Sequence, residues 1–172
     1  MAIALGSRNE TVFSSVKIMN QKTSLHGLRV IDFTRVVAGP YSTSILGDLG
    51  AEIIKIERPG TGDDSRGWGP PFVGEVSSYF LGLNRNRRSV AIDLQTPEGV
   101  EIARKLIAGA DVVVESFRPG VMDRLGLGYE ELKKTHPSLI YCAISAFGQT
   151  GPYMDRPGYD LMISALGGLM GV

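Results

Sequence analysis

The sequence predicts an α/β domain built on an open, mostly parallel sheet flanked by helices. Three observations carry this reading. From Leu28 onward five short apolar runs of strand character alternate with helical patterns, the arrangement that produces a parallel sheet with helices on its faces. Most of the 22 glycines that fall outside helices sit in or beside the segments that follow strands, where average usage of about 7% predicts roughly 12 in the whole chain. And 172 residues, 43% of them hydrophobic, suffice for one buried core without a disulfide framework or structural metal.

The elements follow in order. Residues 1–24 carry Arg8, Lys17 and Lys22 among Ser and Thr without strand or helix periodicity, and are expected to form a poorly ordered leader. Residues 28–33 read as the first strand. A helix runs over 38–49, with Pro40 in its first turn and Gly50 as its stop. Residues 51–56 form a second strand, which closes a strand-helix-strand unit of the kind that pairs in parallel with a right-handed crossover. The glycine- and proline-rich stretch 57–76 is a long loop, a class usually functional or disordered. A short helix over 77–83, a strand over 89–94 and a helix over 96–108 come next. The last has Thr96 as cap, Pro97 at its first position and Glu98 in its first turn. A strand at 111–115, a helix at 129–134, a strand at 139–145 and a final apolar helix from about 158 complete the pattern.

Charge and cysteine content narrow the function. Eighteen basic and 18 acidic side chains cancel, which argues against a general nucleic-acid or anionic-membrane binder. No apolar stretch reaches the roughly 18 residues that a membrane span needs. The single cysteine, Cys142, fits a reducing compartment and reads as an inert buried thiol. His26 and His136 lack partners at metal-ligand spacing and are assigned to structure.

In open parallel sheets, ligands bind beyond the carboxyl ends of the strands. That directs attention to the loops at 34–40, 57–76, 94–96, 115–125 and 146–159. The first lacks both Gly-x-Gly-x-x-Gly and the P-loop pattern, so a nicotinamide enzyme or nucleotide hydrolase is disfavoured, although a helix start there still offers free N–H groups. Arg58, at the root of the second loop, suits a bidentate phosphate contact or, equally, a surface pair with Asp63 or Asp64. Residues 84–88, Asn-Arg-Asn-Arg-Arg, line a phosphate-rich pocket or, more commonly for such runs, form a solvated turn. Arg124 has a structural ion pair as its alternative role. Asp160, at the start of the last helix, is a candidate nucleophile or an ordinary helix-dipole partner.

Particular strings carry a resemblance. Gly27-Leu-Arg-Val-Ile-Asp-Phe-Thr-Arg-Val-Val-Ala-Gly-Pro40, the stretch from Leu46 through Lys55-Ile-Glu-Arg-Pro-Gly-Thr-Gly-Asp63, Leu83-Asn-Arg-Asn-Arg-Arg-Ser89, Asp111-Val-Val-Val-Glu-Ser-Phe-Arg-Pro-Gly120 and Phe147-Gly-Gln-Thr-Gly-Pro152 closely resemble the opening of the family III CoA-transferases. The resemblance implies a Rossmann-like domain over 25–172 that binds coenzyme A or an acyl-CoA as substrate, with no permanently bound cofactor. It implies Val36, Val37 and Ala38 along the pantetheine and thioester, and Arg58 near the ADP phosphates. It likewise implies Ile92 and Gln95 around the adenine, Ser116 and Phe117 along the cofactor, Arg124 on a phosphate, and Tyr159 at the site. Ser116 stands where relatives commonly carry Asn.

The resemblance further implies CoA transfer from a succinyl-CoA-like donor to a small carboxylic acid, through an aspartyl anhydride and an enzyme-CoA thioester. The family's nucleophilic Asp is expected beyond Val172 rather than at Asp160, together with a second domain. The full-length protein is then expected to be an interlocked homodimer in the cytoplasm or the mitochondrion. Racemases of the family carry Gly-His-Asp where this chain has Gly158-Tyr159-Asp160, which favours a transferase. A non-catalytic acyl-CoA-binding module is the alternative from another class.

Overall fold

The computed structural model describes residues 23–171, so the expected leader at 1–24 lies almost wholly outside the described residues. Strand β1 (Arg29–Asp32) leads to helix α1 (Ala38–Asp48) and strand β2 (Glu52–Glu57). The long loop that follows contains a 3-10 turn (Asp64–Gly67) and a small hairpin of β3 (Phe72–Val73) and β4 (Val76–Ser77), neither of which local patterning reveals. Next come α2 (Ser78–Leu83), β5 (Arg87–Ala91), α3 (Pro97–Ala108), β6 (Val112–Glu115), α4 (Val121–Arg124), α5 (Tyr129–Thr135), β7 (Ile140–Ala143) and α6 (Asp160–Leu166). The Thr96 hydroxyl accepts from the Gly99 N–H at 3.1 Å, with Pro97 opening α3. A Cβ at Gly99 would fall 1.9 Å from the Asp93 carbonyl oxygen, so the cap closes tightly.

Five strands form the main sheet in the order β5-β2-β1-β6-β7, every pair parallel, as the sequence predicts. The strand order reverses between β1 and β6, a topological switch point. Among the described residues no helix is long and apolar enough to cross a membrane, and no group of side chains is set to hold a metal ion.

Strand alternation divides the core. Ile31, Phe33, Ile54, Ile56 and Val113 pack with Ala103 and Ile107 of α3, Met122 of α4 and Leu132 of α5. Burying each large aliphatic side chain contributes about 1.5–3 kcal/mol. A second cluster, Val30, Ala51, Ile53, Val112 and Val114, packs with Leu46 of α1. The strand positions that continue this second cluster turn charged toward the carboxyl ends, where Asp32, Lys55 and Glu57 are all buried. Asp32 and Lys55 are register partners in neighbouring strands.

Two expectations are corrected here. The positive run at 84–88 is in part the solvated turn expected, with Arg85, Asn86 and Arg88 exposed, but it lines neither cavity described below and Arg87 is drawn inside. The Arg87 side chain is 3% exposed, and its guanidinium donates to Asp32 at 2.8 Å and to the Pro40 carbonyl at 2.7 Å. Arg85 pairs with Asp48, and Arg88 with Glu52. The strand therefore begins at Arg87 rather than at 89, because a buried ion pair holds that arginine inside. Cys142 is exposed, not buried. It lies on β7 at the edge of the sheet, where the alternation leaves Ile140 and Cys142 facing outward among the described residues.

Candidate functional site

A cleft of about 430 Å³ opens at the carboxyl ends of β1, β2, β5 and β6, across the switch point. Phe33, Ile56, Ile92, Leu94, Phe117 and Leu125 supply its apolar wall. Arg35, Glu57, Arg58, Asp63 and Gln95 supply its polar groups. Such a mixture of a broad apolar wall and a few convergent polar groups suits a small organic ligand.

Below the cleft lies a buried ionic layer. Lys55 and Asp63 are both 0% exposed and meet at 2.9 Å, and the Lys55 ammonium also donates to the Thr34 carbonyl at 2.8 Å. Asp63 accepts from the Ser65 N–H at 2.9 Å and from the Ser65 hydroxyl at 2.7 Å. Burial pushes the Asp63 carboxyl up, but the Lys55 ammonium and the Ser65 donors outweigh it and hold it below the usual carboxylate range. The same carboxylate takes the Val36 N–H at 3.2 Å. Val36 has a φ of 71°, a region a β-branched residue rarely occupies. Its peptide is thus held in a strained turn by a buried charge network.

Glu57 makes the neighbouring set. Its carboxylate receives Arg66 through two 2.7 Å bonds, the Ser89 hydroxyl at 2.6 Å and the Asp63 N–H at 2.8 Å. Burial raises its carboxyl and these donors more than offset that, leaving it lowered. The loop must pass close to this carboxylate: Gly62 has a φ of +66°, and a Cβ there would fall 2.7 Å from Glu57 Oε2. Arg66 in turn lies 3.9 Å from the Phe80 ring centroid, which ties the 3-10 turn to α2.

The residues named from the sequence are distributed unevenly. Arg58, Ile92, Gln95 and Phe117 line the cleft. Val36, Val37 and Ala38 form the turn from β1 into α1 beside it, joined to its wall through Asp63. Ser116 stands behind the rim, its hydroxyl accepting the Arg35 N–H at 3.2 Å. Arg124 is exposed, is not among the lining residues, and makes no ion pair among the described residues. Tyr159 and Asp160 are exposed at the start of α6, also outside the cleft. Arg58 pairs with Asp64 at 2.7 Å, while Asp63 turns inward to Lys55. Sequence reasoning missed Arg35, Asp63 and Lys55 as parts of this site. The available signal was a lysine inside an apolar strand, Ile54-Lys55-Ile56, which demands a buried partner.

A second cavity of about 240 Å³ lies at the ends of β6 and β7, lined among others by Glu115, Arg118, Asp123 and Tyr141. Burial pushes the Glu115 carboxyl up, against the opposing hydrogen bond from the Phe117 N–H at 2.7 Å, and nearby Asp123 adds to the rise.

Comparison with known proteins agrees with this architecture. The model of CoA-transferase family III matches residues 25–172. The chain is 53% identical over 152 residues to human succinyl-CoA:glutarate CoA-transferase, covering 88% of this chain and 35% of the relative. It is 50% identical over 149 residues to acetyl-CoA:oxalate CoA-transferase of Acetobacter aceti, covering 87% of this chain and 38% of the relative. The crystal structure of a CAIB/BAIF family protein from Brucella suis superposes with a TM-score of 0.83 at 51% identity, over 87% of this chain and 40% of that one. The chain therefore spans little more than a third of the length of these relatives. The family model spans most of it, residues 25–172, and the chain belongs to the family III CoA-transferases.

Proposed function

We propose that this chain supplies the acyl-CoA-binding part of a transferase that moves CoA from a succinyl-CoA-like donor to a small carboxylic acid. The observation that carries the reading is the cleft at the switch point, whose lining joins apolar Ile92 and Leu94 with Gln95 and the guanidinium of Arg58. An aromatic base with a phosphorylated ribose has that polarity, and a guanidinium is the usual partner for its phosphates. The names of the relatives supply the donor and acceptor class.

In the proposed reaction an Asp carboxylate attacks the thioester carbonyl and expels CoA thiolate, leaving a mixed anhydride. The thiolate returns to the aspartyl carbonyl, releasing the donor acid and forming an enzyme-CoA thioester. The acceptor carboxylate then attacks that thioester, expelling CoA thiolate and forming a second mixed anhydride, and the thiolate attacks the acceptor carbonyl, releasing acceptor-CoA and restoring the aspartate. We do not give the nucleophilic role to Asp160, which is exposed and outside the cleft. Tyr159 before it offers no imidazole for a racemase-type proton transfer. The same reading takes the full-length protein as a homodimer in a reducing compartment, cytoplasmic or mitochondrial.

Calorimetric titration with CoA tests the binding part. The Arg58→Ala variant should bind CoA about 1–3 kcal/mol more weakly through loss of a charge-assisted phosphate contact. Equal affinity in the two proteins refutes the placement of the phosphates at Arg58. Binding of CoA without any transfer by the full-length protein would favour a non-catalytic module.

A further inference from the structure

At the rim of the cleft two guanidiniums share one carboxylate. Arg58 Nη2 donates to Asp64 Oδ1 at 2.7 Å, and Arg35 Nη1 donates to Asp64 Oδ2 at 3.1 Å. Both arginines line the cleft and Asp64 does not. They arrive from different strands: Arg35 follows β1 and Arg58 follows β2. Arg35 is further held on the cleft side by its N–H bond to the Ser116 hydroxyl and by its guanidinium, 5.9 Å from the Phe117 ring centroid.

The carboxylate is the member of this trio that a ligand anion can replace, since it is the negative partner the two guanidiniums share. Asp63, the preceding residue, is locked by Lys55, Ser65 and the Val36 N–H, so the backbone of the turn is fixed. The Asp64 side chain is 44% exposed, and among the described residues its only polar partners are the two arginines. Exposed ion pairs of this kind are individually weak. A phosphate presents more negative charge and more acceptor oxygens in the same bridging arrangement, so it competes well for the two guanidiniums.

We propose that Arg35 and Arg58 together form a phosphate site at the rim of the cleft, that Asp64 fills it in the unliganded chain, and that a phosphate or diphosphate group of the ligand exchanges with the Asp64 carboxylate. The remainder of that ligand rests on the CoA reading above. The anion site itself does not.

Three probes in calorimetric titrations separate the two: CoA, inorganic pyrophosphate, and pantetheine, which has no phosphate. Asp64→Asn should bind pyrophosphate and CoA about fivefold more tightly than the unaltered chain, by removing the internal competitor. Arg35→Met, which keeps the apolar stem over Phe117, should bind both about tenfold more weakly. Pantetheine affinity should not change in either variant. In the Arg35→Met background, Asp64→Asn should gain less than it does alone, because one of the two guanidiniums it frees is already gone. Asp64→Ser, equally uncharged, repeats the test with a different side chain, and circular dichroism verifies the fold of each variant. Unchanged or weaker pyrophosphate binding in both Asp64 variants overturns the exchange. Unchanged pyrophosphate binding in Arg35→Met removes Arg35 from the site. If pyrophosphate responds as expected but CoA binds no more tightly than pyrophosphate, the CoA reading fails and the anion site stands.

Discussion

Replacing Lys55 by Met isolates the buried ionic layer. The substitution keeps an unbranched stem in β2 and removes the ammonium that stands 2.9 Å from Asp63, where both side chains are 0% exposed. Asp63 retains its Ser65 donors and the Val36 N–H, so its hydrogen bonds survive while its countercharge is lost. Removing one partner of a buried pair costs about 3–5 kcal/mol. For a domain of this size each 1 kcal/mol lowers the melting temperature by about 2–4 °C, so the variant should melt roughly 6–20 °C lower. The pH dependence has a definite sign. Because the folded-state Asp63 carboxyl lies below its ordinary value, its contribution to stability is present above the unfolded pKa and is lost as pH falls through the folded one. Without Lys55 the carboxyl titrates higher, and protonation relieves the uncompensated charge. The stability gap between the two proteins should therefore narrow between pH 7 and about pH 4. Urea unfolding followed by far-ultraviolet circular dichroism measures both quantities. A loss below about 1 kcal/mol at pH 7, or a gap that widens on acidification, refutes the reasoning.

Two further outcomes are expected. Glu115, 5% exposed, has its carboxyl raised in the folded state, so its stabilising contribution is present below the unfolded pKa and is lost as pH rises through the folded one. Glu115→Gln keeps an acceptor for the Phe117 N–H, and at pH 7 should equal or exceed the unaltered chain in stability by up to about 1 kcal/mol, with the difference vanishing toward pH 4.5 in urea titrations. A marked loss at pH 7 contradicts this. Cys142, exposed on β7, should react with an aromatic disulfide reagent in the folded chain at a rate that denaturant barely increases. A thiol protected until unfolding would place β7 in a covered environment instead.

Much of the fold is legible locally. The α3 cap, Thr96-Pro97-Glu98, announces itself because capping needs only residues three apart. The alternation of strands and helices implies parallel pairing because crossovers have one hand. The candidate site is legible only in part. Arg58, Ile92, Gln95 and Phe117, which the family resemblance implies, do line one cleft, but the resemblance does not reveal that Arg35 and Arg58 share Asp64. The strand Ile53-Ile54-Lys55-Ile56-Glu57 shows that charge enters the sheet, not which charge answers it.

The sequence by itself determined the class of fold, the order of the five main-sheet strands and the family, since these rest on periodicity, caps and contiguous strings. The tertiary structure alone decided which charges are buried and which cysteine face is open. Arg87 reads as surface until Asp32, fifty-five residues earlier, closes on it. Cys142 reads as core until its strand is found at the sheet edge. The reason is physical: the period of a strand or helix is a property of neighbouring residues, whereas solvation and ion pairing depend on whatever distant chain packs against them.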